Sequence, residues 1–346
     1  MASYSNRQVI LVSRPENIPV ATDFEIVTTI LPQISQGKVI IRNIYLSVEP
    51  AMKGWVSAIG NYAEPVVLNS VMKSFATGVV IESCHSDYVI GDFVTGLFGW
   101  QEYALVDANI IERKITNHPL PISTSLGVAG INGMTAYFGL LNIGKPTPGE
   151  TVVVSTAAGS VGSCAGQIAK LKGCTTVGIT GGQKKVGLCK NLYQFDQVID
   201  YKSDSLENSL TKACPKGVDI YFDNTGGEIS DAVIHKLNVG GRIIVCGTAS
   251  VASWNPPPIG PRIERQILVK RAHMEGFLIF DHKERYAEAL LALTKWVSTG
   301  SIKYREDILY GINNAPGSIA AIYRGQNLGK LLIKLNEEEE NLLSVI

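Results

Sequence analysis

The stretch from Thr151 to Cys174, TVVVSTAAGSVGSCAGQIAKLKGC, constrains the fold more than any other part of the chain. Its first residues are apolar and mostly β-branched, which suits a strand buried on both faces. A run of small residues follows, and then a segment able to form a helix. Strands able to continue the pattern come after it: TTVGIT, QVIDY, DIYFDNTGG and RIIVCG. The intervening stretches have room for helices, such as 163–172 and 184–193. Parallel strands need crossovers of this kind, so the alternation predicts an α/β class with a doubly wound parallel sheet. A further strand in HMEGFLIF, a helix near 285–298 and a last strand in GKLLIKL are expected beyond it.

The first 120 or so residues read differently. QVILVSR, KVIIRNIYLSV, GVVIES, DFVTGLFG and WQEYALVD are short runs separated by Gly, Pro and Asn, the pattern of a small β-rich domain. With 346 residues the chain exceeds the roughly 100 to 200 residues of one ordinary domain, so two domains are expected. The stretch ASWNPPPIGPRIE reads as a loop, since consecutive prolines cannot enter a helix interior or a central ladder. The tail NEEEENLLSVI reads as a solvated end.

Charge narrows the partners. Lys plus Arg and Asp plus Glu both number 31, and no basic run exceeds two residues, which argues against a nucleic-acid surface and for a small-molecule partner. No apolar run approaches the roughly 20 residues of a membrane span, and the start MASYSNRQVILVSRPEN lacks a signal-peptide core. A soluble cytoplasmic protein is expected. The cysteines never form C-x-x-C and the histidines never form H-x-x-x-H, so no metal site is indicated.

Ala157, Gly159 and Gly162 fill the three small-residue positions of the dinucleotide-binding turn, with alanine at the first. Small residues there let backbone approach a pyrophosphate seated at the next helix's N-terminus. A tight strand-to-helix corner would use similar residues, but the context of strand, turn and helix favours a cradle formed by Ala158, Gly159, Ser160, Val161 and Gly162. The second strand ends in GITGGQKKVG. It carries no carboxylate for ribose hydroxyls and offers Gly181 followed by Lys184 and Lys185. The third ends in Tyr201 and Lys202. Cations at these positions suit a 2′-phosphate and favour NADP over NAD, although adjacent lysines also suit an ordinary solvated helix start.

In order, YLSVEPAMKG, GINGMTAYFGLL, AAGSVGS with GQIAKLKGC, DIYFDNTGG, VCG, EGF and GQNLGKLLI resemble the zinc-independent medium-chain dehydrogenases/reductases. Within these the chain is similar to the alkenal and prostaglandin double-bond reductases, the bacterial curcumin reductase type above all. The resemblance spans nearly the whole chain. It implies NADPH as cofactor and a homodimer. It also implies a GroES-like substrate domain from residues 1–122 and 312–346 around a Rossmann domain from 123–311. It places Lys185 and Tyr201 on the 2′-phosphate. Asn224, Cys246, Gly247, Phe277 and Asn327 fall along the rest of the cofactor, with Thr135 near the nicotinamide amide. Thr135 could equally satisfy its own helix backbone.

The implied chemistry is reduction of the carbon–carbon double bond of an α,β-unsaturated ketone or aldehyde. It needs a hydride at one carbon, a donor for the growing enolate oxygen and a proton. Here the chain departs from its family: DPYMRG becomes EPAMKG, which loses a tyrosine at Ala51, and the segment after VCG reads ASVASWN. Tyr62 is then the candidate catalytic donor. Trp55, Trp100 and Trp254, with Phe98, are candidates for a flat apolar slot, although aromatics at these spacings also serve as core. A quinone reductase and a non-catalytic NADP-binding protein are the alternative readings.

Overall fold

The computed structural model describes residues 4–59, 62–116, 119–203, 205–251, 256 and 258–335. Trp254, with Ala252 and Asn255 of the altered segment, lies outside the described residues, as does the expected solvated tail from Asn336 onward. The chain divides into two compact units, Met1–Leu126 with Glu306–Ile346 and Gly127–Arg305.

The first unit is β-rich. β1 (Ser5–Leu11) pairs antiparallel with β2 (Phe24–Ile30). There follow β3 (Lys38–Ser47), a short helix α1 (Met52–Trp55), β4 (Ala76–Ser83), β5 (Phe93–Gly96), β6 (Tyr103–Asp107) and β7 (Ile111–Lys114). The long β3 pairs with β4 along one edge and with β6 along the first half of the other.

The second unit begins with α2 (Ile131–Phe138), which runs into a π-helical turn, Gly139–Gly144. Strands and helices then alternate: β8 (Thr151–Ser155), α3 (Ser160–Leu171), β9 (Thr175–Thr180), α4 (Gln183–Asn191), β10 (Gln197–Asp200), α5 (Leu206–Ala213), β11 (Val218–Asp223), α6 (Gly227–Ile234), β12 (Leu237–Val245), α7 (Glu264–Lys270) and β13 (His273–Gly276). A 3-10 stretch, Ile279–Arg285, leads into α8 (Tyr286–Ser298). Every strand pair is parallel, in the order β10-β9-β8-β11-β12-β13. The order therefore reverses between β8 and β11, as in the dinucleotide-binding doubly wound fold. All five residues of β8 are buried, and Val153, Val177, Ile199, Tyr221 and Ile243 join in one core. The strand expected throughout HMEGFLIF is shorter. Only its first four residues pair, exposed at the sheet edge, and the chain then turns into the 3-10 stretch.

The chain closes in the first unit with β14 (Glu306–Tyr310), α9 (Ser318–Tyr323) and β15 (Lys330–Lys334). β15 pairs with β14 and lies antiparallel on the second half of β3, beyond the reach of β6. β14 and β15 thus join β3 to β7 in one sheet, apart from the β1–β2 pair. An ion pair between Lys330 and Glu49 pins this closure. The Lys330 Nζ also donates to Ser47 Oγ at 2.7 Å and to the Val48 carbonyl at 3.2 Å. Burial pulls the Lys330 amine below its usual range, against the pull of Glu49.

Candidate active site

The turn after β8 is built by backbone rather than side chains. Thr156 adopts φ of 53°, a conformation that costs a β-branched residue and marks a constrained position. Its carbonyl accepts the Gly159 N–H at 2.8 Å. A Cβ on Gly162 would come within 2.3 Å of that same carbonyl oxygen, so only glycine lets α3 start here. No side chain caps α3, whose first intrahelical acceptor, the Gly159 carbonyl, is taken by Ser163. The N–H groups of Ser160 and Val161, on half-exposed residues, are thus available to an anion at the positive end of the helix dipole. Ala158 itself is buried in the turn.

On one side of this turn, β9 and β10 end together. The Tyr201 ring lies over Gly181, close enough that a Cβ there would meet it at 2.8 Å. The Lys202 ammonium sits 5.9 Å from the centre of the same ring. Lys184 and Lys185 stand in the first turn of α4. Asp200 braces these loops. It accepts the Gly182 N–H at 2.9 Å, the Lys202 N–H at 3.1 Å and the Gln183 side-chain amide at 3.0 Å. Its carboxylate is committed to protein donors, which leaves a cationic rim.

On the other side, β8, β11 and β12 end at the point where the strand order reverses. Asn224 donates its backbone N–H to Ser155 Oγ at 2.8 Å and its side-chain amide to the Ser155 carbonyl at 2.7 Å. Cys246 and Gly247 donate their N–H groups to the Asp223 carbonyl at 2.8 and 3.1 Å, which ties β12 to β11. Gly226 and Gly227 have φ of 66° and 61°, the reason the DNTGG segment needs its glycines.

The remaining candidates are dispersed. Thr135 donates its hydroxyl to the Ile131 carbonyl at 2.7 Å, the local satisfaction weighed for it above. The Phe277 ring packs over Gly139 in the π-helical turn. Asn327 lies in the first unit and donates to the Gly329 carbonyl at 2.7 Å. Tyr62, also in the first unit, is 51% exposed. Its phenol acts on Tyr323, whose hydroxyl is pushed up to about 12 by burial first and by Tyr62 second. The aromatic slot needs correction. Trp100 and Phe98 are sealed in the core, and the Trp100 indole donates to the Ser47 carbonyl at 3.1 Å, so neither offers surface to a ligand. Trp55 is buried edge-on against Phe75, 6.4 Å between centroids, and its indole N–H has no partner among the described residues. Among those residues no group of His, Cys, Asp and Glu is gathered that could hold a metal ion.

The sheet order and the uncapped turn define the class: a doubly wound fold of the dinucleotide-binding kind. Residues 7–113 match the family model for the N-terminal domain of oxidoreductases, and residues 160–296 match that of the zinc-binding dehydrogenases. The NADPH-dependent curcumin reductase of Escherichia coli is 40% identical over 95% of this chain and 97% of its own length. Prostaglandin reductase 1 of Sus scrofa is 40% identical, covering 91% of this chain and 95% of its own. The crystal structure of CurA from Vibrio vulnificus in complex with NADPH, at 40% identity, superposes with a TM-score of 0.90 over 96% of this chain and all of that one. The chain belongs to the medium-chain dehydrogenases/reductases, in the branch of the alkenal, prostaglandin and curcumin reductases.

Proposed function

We propose that this protein is an NADPH-dependent reductase of the carbon–carbon double bond of α,β-unsaturated ketones and aldehydes. The observation that carries the reading is the uncapped, glycine-walled N-terminus of α3, flanked by a cationic rim and by Asn224 at the strand-order reversal. The names of relatives at 40% identity over nearly the whole chain support the reaction class. These residues fit the cofactor. Ser160 and Val161 N–H groups would hold the pyrophosphate, and Lys185, Tyr201 and Lys202 the 2′-phosphate. Bound NADPH supplies the hydride. The protein's own task is to orient the enone, neutralise the growing enolate and deliver a proton. Tyr62 is the proposed donor, since its half-exposed phenol can meet a small molecule as Trp100 and Phe98 cannot.

The test is NADPH oxidation, with NADH in parallel, against a bulky aryl enone, a short alkenal and a quinone, with product masses determined. Gain of two hydrogens at the double bond with NADPH preferred is expected. An alcohol product, turnover of the quinone alone or silence on all three would sink the reading. Tyr62→Phe should lower kcat more than it raises KM, because a proton donor acts chiefly in the transition state.

A homodimer in the cytoplasm completes the proposal. β13 is an open sheet edge with exposed Met274, beside exposed Leu268 and Val269, and paired strands commonly close such edges. All six cysteines are free thiols, as a reducing compartment would keep them. Sedimentation at micromolar concentration should give twice the chain mass.

A further inference from the structure

Directly beneath Asn224 lies a buried carboxylate to which no step of the chemistry above gives a role. Asp223 Oδ1 accepts the N–H groups of Thr225 and Gly226, each at 2.9 Å, the Tyr221 hydroxyl at 3.0 Å and the Thr225 hydroxyl at 3.3 Å. Ser155 makes a longer contact with it at 3.4 Å, and Oδ2 accepts Ser230 Oγ at 2.5 Å. The Tyr221 and Ser230 oxygens lie 3.1 Å apart, each with its one proton turned to Asp223. Asp223, Ser155, Tyr221, Thr225 and Ser230 are all buried. A charge so placed is tolerated only because donors surround it, and the set is rigid for the same reason.

The rigidity acts on one half-buried group. Ser155 Oγ takes the Asn224 backbone N–H, and the Ser155 carbonyl takes its side-chain NH₂. Rotating the amide would set its oxygen against that carbonyl. The orientation is therefore locked, with the amide oxygen directed away from the network and without a partner among the described residues. An oxygen so presented can only accept. It selects a hydroxyl or an N–H group and repels a phosphate. Since the cationic rim lies across α3 on the β9–β10 side, Asn224 faces the half of a dinucleotide beyond its pyrophosphate.

We propose that the Asp223 network is a positioning device, one that holds the Asn224 amide oxygen ready for a donor group on the nicotinamide half of the cofactor, a ribose hydroxyl or the carboxamide N–H. The proposal rests on the NADPH reading and deepens it.

Binding to the full chain tests it, with NADPH followed by its fluorescence and adenosine 2′,5′-bisphosphate, which lacks the nicotinamide half, by calorimetry. Asp223→Asn should weaken NADPH about tenfold while the bisphosphate changes by less than about twofold. Tyr221→Phe, which keeps the ring and removes one donor, should show the same selectivity at about threefold, and it serves if Asp223→Asn does not fold. Equal weakening of both ligands, or of neither, overturns the proposal, because a merely structural carboxylate would not discriminate between them. The 3-acetylpyridine analogue of NADP⁺ has no carboxamide N–H. If the network variants lose their effect with it, the carboxamide is the donor; if they keep it, the ribose is. A wild-type chain that binds neither NADPH nor the bisphosphate overturns the cofactor reading itself.

Discussion

Beyond the carboxyl ends of β9 and β10 the side chains that meet solvent are cations and a phenol, braced by Asp200, whereas at those of β8 and β11 they are hydroxyls and a carboxylate with almost no exposed surface. The two flanks of one turn thus solve the same problem by different physics. Lysines at an exposed rim recognise charge, adapt their rotamers and are screened by salt. The Asp223 network recognises hydrogen-bond direction, cannot adapt and is shielded from salt. A dinucleotide phosphate asks for both, because one of its halves carries an extra dianion and the other only hydroxyls and an amide.

The largest effect expected falls on the turn that the two flanks share. In Gly162→Ala the new methyl would overlap the Thr156 carbonyl, and backbone on both sides leaves it no room to relax. A distortion of about 3 kcal/mol should weaken NADPH and adenosine 2′,5′-bisphosphate alike, each by roughly a hundredfold. A variant that loses one ligand and keeps the other would show that the flanks bind independently of the turn.

Next comes the rim. Lys185→Ala should cost NADPH binding roughly 1.5 to 3 kcal/mol, the worth of one charge-assisted contact, and leave NADH unchanged. The loss should shrink in high salt, where the wild-type advantage is itself screened. The loss in Asp223→Asn should not shrink. Equal salt response in the two variants would break the contrast between the flanks.

How far the sequence discloses these features follows from what each is made of. Strand and helix alternation in the second unit is legible because a strand buried on both faces must be apolar along its middle, as Val152, Val153 and Val154 are. The turn is legible from its small residues, since glycine at position 162 has a single steric cause. The exposed rim is legible for the opposite reason: charged side chains at strand ends have little else to do. The Asp223 network is not, because it joins Ser155 of β8 to a stretch some seventy residues later, 221–230, and Ser, Thr, Tyr and Asp are each ordinary alone. DNTGG draws attention to Asn224 and its glycines, while the residue that orders them is the aspartate before. The aromatic slot fails on similar grounds. Trp100 and Phe98 stand between β5 and β6, where the sequence leaves the facing side open, and tertiary contacts such as Phe24 against Trp100, 5.7 Å between centroids, and the Trp100 indole on the Ser47 carbonyl bury them. Helix starts shift by a few residues, α3 opening at Ser160 rather than Ser163, since an uncapped N-terminus carries no polar signal to mark it.

The smallest effect separates charge from shape at the rim. In Tyr201→Phe the ring keeps its place over Gly181 and beneath the Lys202 ammonium, so both the packing and the cation–π contact survive. Only the hydroxyl is lost. Tyr201 is 42% exposed, and water can replace much of what that hydroxyl gives, so NADPH should weaken by only about 0.5 to 1.5 kcal/mol. A loss as large as that of Lys185→Ala would mean that the phenol, rather than the amines, bears the 2′-phosphate. The rim would then bind by directed hydrogen bonding as the buried flank does, and the salt response of Lys185→Ala should be correspondingly weak. No loss at all would leave Tyr201 as a wall that holds Lys202 in place, and Lys202→Ala should then approach Lys185→Ala in effect.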